Sequence, residues 1–308
     1  QLPFYYNKPK IVVNQKINKQ YCKFQYDNLY GICDSNGHVL LQPQTKLFTF
    51  INSSFINIDN FVYQFKTHDV ICNNCNRIYS IYKNNNNNII YRSNINQNNY
   101  LLFENGKHLT FSSGFIVHVD EKHIYINYDN FMTSYDLDGK FEKHYPFCIE
   151  KIYVNQFIAY SVYDSVQQIK LFGVMDKELN AITQPIFQQI EAFNKGYNNV
   201  LYKGTWGVID EKGQWTLPAK YDVNPDIDNG IFVVHCNDKY AIINSKGDNL
   251  TDFIFDEVSF HHPFYETKIN HKYGIYGLKG NKILDCVYDF IHTTDDSNMV
   301  VLEKDKRY

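Results

Sequence analysis

Along the second half of the chain, apolar and polar positions fall in blocks of nearly constant length. Phe172-Gly173-Val174-Met175-Asp176, Trp206-Gly207-Val208-Ile209-Asp210, Tyr240-Ala241-Ile242-Ile243-Asn244 and Tyr273-Gly274-Ile275-Tyr276-Gly277 open four stretches whose starts lie 33 or 34 residues apart. The stretch from Trp206 is the clearest. Its first four residues predict a buried strand, Asp210-Glu211-Lys212-Gly213 a turn, residues 214–220 the returning strand and Ile231-Phe232-Val233-Val234 a closing strand. Asp at the first turn position can bond its own backbone two residues on, and Gly at the fourth supplies a positive φ. The same signal stands at Asp34 to Gly37, with variants at Asn244 to Gly247 and Gly277 to Gly280. A short polar turn, Cys236 to Lys239, leads into the next block.

Later positions recur too. Pro43, Pro185 and Pro218 stand at matching places and, lacking an N–H, mark a strand end or edge. Phe187, Tyr221, Phe255 and Tyr288 follow, the last three preceding Asp222, Asp256 and Asp289. These aspartates are expected to bond one repeat to the next. A fixed period of this size means a repeat architecture, in which a unit of about three short antiparallel strands cannot bury its own face and must stack on its neighbours.

The register also appears at Tyr30-Gly31-Ile32-Cys33-Asp34, while between about 50 and 165 only Gly106 and Gly139 keep the turn. The expectation is a single all-β repeat domain over 1–308, with an N-terminal repeat in 1–50, degenerate repeats in 51–165 and well-formed repeats in 166–308. A closed propeller-like ring would remove exposed sheet edges; an open curved β-solenoid is the alternative.

Composition supports strands. The chain of 308 residues holds 26 Tyr and 23 Phe, and alanine only at 159, 181, 192, 219 and 241. Net charge is −3, and arginine occurs only at 77, 92 and 307. A nucleic-acid surface needs clustered basic charge and favours arginine, so nucleic-acid binding is not expected. No apolar run reaches the roughly 20 residues of a helical membrane span. The chain opens at Gln1 rather than methionine, as a mature exported protein would; an exported, periplasmic or extracellular location is expected, with the cytoplasm as the alternative. The seven cysteines do not settle the compartment, although Cys33 and Cys286 fall at core positions of their repeats.

The aromatic-Gly-x-Ile-Asp-x-x-Gly core and the later Pro…Tyr-Asp resemble the WG-repeat family of mostly bacterial proteins. The likeness covers about 28–50 and 165–308. Only Trp206 retains the tryptophan, Ala241 replaces the glycine, and the middle third matches poorly. The resemblance implies repeated β-units with a binding or interaction role, and it carries no catalytic residues onto this chain.

Outside the repeat, Cys72-Asn73-Asn74-Cys75 offers a C-x-x-C, but zinc needs four ligands and no second pair follows; a loop disulfide or idle thiols fit better, and no metal or cofactor is expected. His261-His262-Pro263-Phe264-Tyr265 reads as a loop after the aromatic-Asp step. His261, His262, Phe264 and Tyr265 are the binding candidates there. Asn84 to Asn88 reads as an exposed loop. The turn position accounts for Asp34, Asp176 and Asp210 without catalysis. The expected function is therefore a non-catalytic binding protein that engages another protein through loops, of the inhibitor or immunity type. A cell-wall or carbohydrate binder and a hydrolase with a propeller-centred site are the alternatives.

Overall fold

The computed structural model describes residues 12–13, 21–26, 28–34, 36–45, 48–52, 54–58, 61–64, 67, 69–72, 78–83, 89–95, 98–153, 157–293, 300–305 and 307. Among them every regular element is a strand. The strands form nine small antiparallel sheets in chain order among the described residues, each a meander of two to four strands, so the fold is an all-β series of repeated small sheets. Two compact units divide the chain, residues 1–148 and 149–308.

The first unit holds four sheets of four strands, spanning 12–45, 48–72, 78–112 and 115–145. The decayed middle of the sequence is thus built like the rest. Its turns survive where its aromatic-Gly pairs do not. The amide of Gly139 donates to Asp136 O at 3.1 Å and that of Gly106 to Phe103 O at 3.0 Å, as Gly37 does to Asp34 O at 3.1 Å.

After these, sheets of three, four, three, four and two strands follow one another between Cys148 and Glu303. The turn chemistry holds in detail. Asp210 Oδ1 accepts the amides of Lys212 and Gln214 at 2.9 and 2.8 Å, and Gly213 has φ +74°. Asp34, Asp136 and Asn244 do the same for their turns. Strand Thr205–Asp210 then pairs with Trp215–Tyr221, but the register jumps between Trp206↔Tyr221 and Val208↔Leu217. Pro218, Ala219 and Lys220 bulge opposite Gly207, on an edge strand, where a missing N–H costs no ladder bond. The bulge brings backbone close enough that a Cβ on Gly207 would lie 2.8 Å from Ala219 N and 2.6 Å from the Trp215 ring. That close approach is why the second repeat position is glycine.

The sheets do not coincide with the sequence repeats. Strand Ile231–Cys236 closes one repeat and pairs with Lys239–Asn244, which opens the next. The two-residue turn between them, Asn237-Asp238, has φ of 53° and 59°; Lys203-Gly204 and Asn270-His271 repeat this geometry. Positive φ at both positions gives a type I′ turn, which matches the twist of a hairpin. Each such sheet is thus half one repeat and half the next.

The recurring aspartates of the aromatic-Asp step hold these turns. The amides of Asn237, Asn270 and Asp305 donate to the carboxylates of Asp222, Asp256 and Asp289 at 2.9, 2.7 and 2.8 Å. Asp256 also pairs with Lys239 and Asp289 with Lys272. The expected repeat-to-repeat bond is present at Asp256 and Asp289, through the lysine that closes the preceding repeat, whereas the bond of Asp222 to Asn237 stays within its own repeat. Between sheets, apolar faces stack: Val208, Leu217 and Tyr221 of one sheet pack against Phe232, Val234 and Ala241 of the next.

Candidate functional site

Three successive repeats of the second unit line an open cavity of about 440 Å³. That is within the roughly 300–1,000 Å³ of small-ligand sites. It is built from equivalent positions. Asn194, Ile227 and Phe260, each 33 residues from the last, all line it. Asn199 and Val233, 34 apart on consecutive central strands, line it as well. The scaffold thus presents the same places with different chemistry in each repeat.

Local structure fixes each contributor. The three-residue strand Asp226–Asp228 pairs antiparallel with Ile231–Val233 across Asn229-Gly230, whose φ values are 44° and 78°, an Asn-Gly type I′ hairpin. That hairpin places Asp226 and Asp228 on the cavity wall. Lys195 Nζ reaches Asp228 Oδ1 at 2.6 Å, and Asn194 Nδ2 donates to Ile227 O at 3.1 Å. Both bonds tie matching positions of adjacent repeats. Glu191, between strands Gln189–Ile190 and Tyr197–Tyr202, lends its carbonyl to Tyr153 Oη and Asn198 Nδ2, each at 2.9 Å, and its carboxylate to Gln189 Nε2 at 2.6 Å.

Two buried polar atoms in the wall stand out. Asn199 is 7% exposed; its Nδ2 donates to Pro225 O at 2.6 Å, while its Oδ1 has no partner among the described residues. Tyr265 is 1% exposed, and its hydroxyl also has none. Burial, with the Asp228 carboxylate nearby, pushes the Tyr265 phenol up to about 12, so it keeps its proton and can both donate and accept. Buried polar groups are paired in the great majority of cases, and an unpaired one costs about 1–3 kcal/mol. The preceding repeat carries Phe232 at the place of Tyr265, also fully buried, so that repeat packs without the hydroxyl.

The stretch His261 to Tyr265, expected as a loop, is instead part of a hairpin. Strand Glu257–His261 pairs with Phe264–Ile269, with His261 opposite Phe264 and His262-Pro263 as the turn. Alternating apolar Val258 and Phe260, then Phe264 and Tyr265, leave room for only a two-residue connection. Of the four sequence candidates, Tyr265 lines the cavity. His261, His262 and Phe264 sit at the hairpin's outer end, where Phe260 meets His262 edge-on at 6.2 Å and Tyr265 at 5.2 Å. Sequence reading missed Phe260, Asn199, Asp226, Asp228 and Glu191. The usable signals were the Asn229-Gly230 dipeptide, and the places where polar residues stand in one repeat and apolar ones in the next.

Cys72 is disulfide-bonded, which removes it as a thiolate ligand; Cys75 and the run Asn84 to Asn88 lie outside the described residues. No group of three or more metal-ligating side chains occurs among the described residues. In the first unit, a smaller cavity of about 250 Å³ is walled by Ile32, Leu41, Ile56 and Tyr63, members or neighbours of one apolar cluster, and has little polar chemistry to offer. Among the described residues no helix is long and apolar enough to cross a membrane.

The chain is similar to several solved structures at low identity. A eukaryotic initiation factor has 8% identity and a TM-score of 0.36, covering 87% of this chain and 85% of that one. Hsv2 of Kluyveromyces marxianus has 8% identity and a TM-score of 0.33, covering 97% and 98%. AztD of Citrobacter koseri has 12% identity and a TM-score of 0.33, covering 84% and 91%. No curated protein sequence matches. The stretch opening at Tyr240, where alanine replaces glycine, falls between matched repeats although its sheet is formed. The chain carries WG containing repeats, matched at residues 172–201, 206–240 and 273–308.

Proposed function

We propose that the protein is a non-catalytic binding protein that engages another protein at the cavity of its second unit. One observation carries the reading: a cavity built on three repeats whose equivalent positions, Asn194, Ile227 and Phe260 or Asn199 and Val233, carry different side chains. Phe260, which lines it, is 38% exposed and supplies apolar contact surface. The repeating aspartates, which could otherwise suggest a catalytic carboxylate set, are occupied by turn amides and lysines. In its inhibitor or immunity form, the reading adds that the bound partner loses activity. The disulfide at Cys72 supports an exported site of action, since disulfides persist in oxidising compartments.

The test is affinity capture with the wild-type chain and with Phe260→Ala, followed by reconstitution of the captured protein in purified form. A one-to-one complex that Phe260→Ala weakens supports the reading. A purified partner that binds both chains equally, or the absence of any partner that reconstitutes, removes it.

A further inference from the structure

One hairpin of the second unit departs from the repeat. Strand Ile158–Asp164 pairs with Ile169–Met175, and ten residues separate Ser161 from its cross-strand partner Phe172, which opens the repeat. Only four separate the equivalent partners Leu201 and Trp206, His235 and Tyr240, and Lys268 and Tyr273. The hairpin is thus six residues longer than its three successors. Two further ladder pairs, Tyr163↔Lys170 and Asp164↔Ile169, carry it outward by about 7 Å, and residues 165–168 form its tip. Tyr163, residues 165–168 and Lys170 are exposed, so the extension covers no core.

The extension is nonetheless tightly held. Asp164 Oδ1 accepts the amides of Val166 and Gln167 at 2.8 and 3.2 Å, and Asp164 Oδ2 accepts Gln167 Nε2 at 3.1 Å. Gln168 closes the loop at φ +56°, a left-handed value uncommon outside glycine. At the base, Glu150 Oε1 accepts Ser161 Oγ at 2.5 Å and Lys170 Nζ at 3.1 Å, which ties both strands of the hairpin to strand Cys148–Ile152. At the end of this fixed arm stands Val166, 90% exposed; among the described residues no other large apolar side chain exceeds 54%. Burial drives apolar packing, and this side chain contributes none to the fold. A loop ordered in advance presents it to a partner at a low entropic cost. The tip offers no free charge, because Ser165, Val166, Gln167 and Gln168 are neutral and Asp164 is spent on the loop. Its complement is an uncharged, apolar pocket.

We infer that this hairpin is a recognition arm that inserts Val166 into an apolar pocket on a protein partner, with Tyr163 packed against the pocket's rim. One valine without a free cation gives a lipid surface too little to hold. The inference rests on the protein-binding reading but not on the cavity, since no residue of the arm lines it.

The experiment replaces Val166 of the full chain by the photo-crosslinking residue p-benzoylphenylalanine, and in a control the exposed Lys246, and irradiates each in the native lysate. Position 166 should crosslink one protein that position 246 does not. That protein, purified, should bind the wild-type chain, and Val166→Ala should weaken the complex about tenfold. Val166→Asp, which puts a charge in the pocket, should weaken it further. Unfolding midpoints of both variants should match wild type, since the side chain is exposed. Replacing residues 163–170 by Asn-Gly, which gives the length of the three succeeding hairpins, should abolish binding. No crosslink at 166 beyond the control, a crosslink to a second copy of the chain, or cosedimentation with phosphatidylcholine–phosphatidylserine vesicles that Val166→Asp abolishes would each overturn the inference. So would a crosslinked protein that does not bind when purified, or one that binds Val166→Asp as well as wild type. The two readings fail separately. A partner weakened by Phe260→Ala and indifferent to Val166→Asp removes the arm and keeps the cavity; one weakened by Val166→Asp and indifferent to Phe260→Ala does the reverse.

Discussion

Single residues in this chain are placed by backbone geometry first. The D-x-x-G turns and their variants need a left-handed residue at their fourth position, and among the described residues six use glycine: Gly37, Gly106, Gly139, Gly213, Gly247 and Gly280. Leu179 fills the same place after Asp176 with φ +65°. A left-handed non-glycine residue costs about 1–2 kcal/mol, so Leu179→Gly should raise stability by about 1 kcal/mol, read as a higher urea midpoint at unchanged slope. Gly207→Ala should act the other way. Its Cβ would meet Ala219 N at 2.8 Å and the Trp215 ring at 2.6 Å, and overpacking of this kind costs about 2 kcal/mol. Thermal unfolding checks both.

Strands and turns form the next scale, and there the aspartate clamps decide. Lys239 and the Asn270 amide hold the Asp256 carboxyl below its ordinary range; Lys272 and the Asp305 amide do so for Asp289. A lowered folded-state value means the ionised form is favoured in the fold. The stabilisation is therefore full above the unfolded-state value, about pH 4, and is lost as pH falls through the lowered one. Urea midpoints should fall below about pH 4, and Asp256→Asn with Asp289→Asn should flatten that slope while lowering the midpoint at neutral pH. The turns themselves were legible in the sequence, because an Asx turn and a positive-φ glycine need only neighbouring residues. The sheet boundaries were not. The connecting turns Lys203-Gly204, Asn237-Asp238 and Asn270-His271 share a backbone and almost no side chains, so nothing local shows that each sheet takes its halves from two repeats. The middle of the first unit hid its sheets for a related reason. Alternation and a tight turn suffice to make them, and the aromatic-Gly pair that marks the repeat is dispensable there.

Across the molecule, what repeats and what does not do different work. Repeating residues make strands, turns and the bonds between repeats. The cavity draws on positions that are equivalent in three repeats yet differ in chemistry, Asn194, Ile227 and Phe260 or Asn199 and Val233, and they meet only once the repeats stack. That is why the site could not be read from the chain: its members lie 33 or 34 residues apart, and Tyr265 looks like one more core aromatic beside Phe232. The difference between those two residues is one hydroxyl, which is buried and has no partner among the described residues. The direct measurement is the urea midpoint of Tyr265→Phe without ligand. An unpaired buried hydroxyl contributes nothing to the fold, so the account predicts a midpoint equal to or above wild type. A midpoint lowered by about 1 kcal/mol, as when a satisfied buried hydrogen bond is lost, would contradict it.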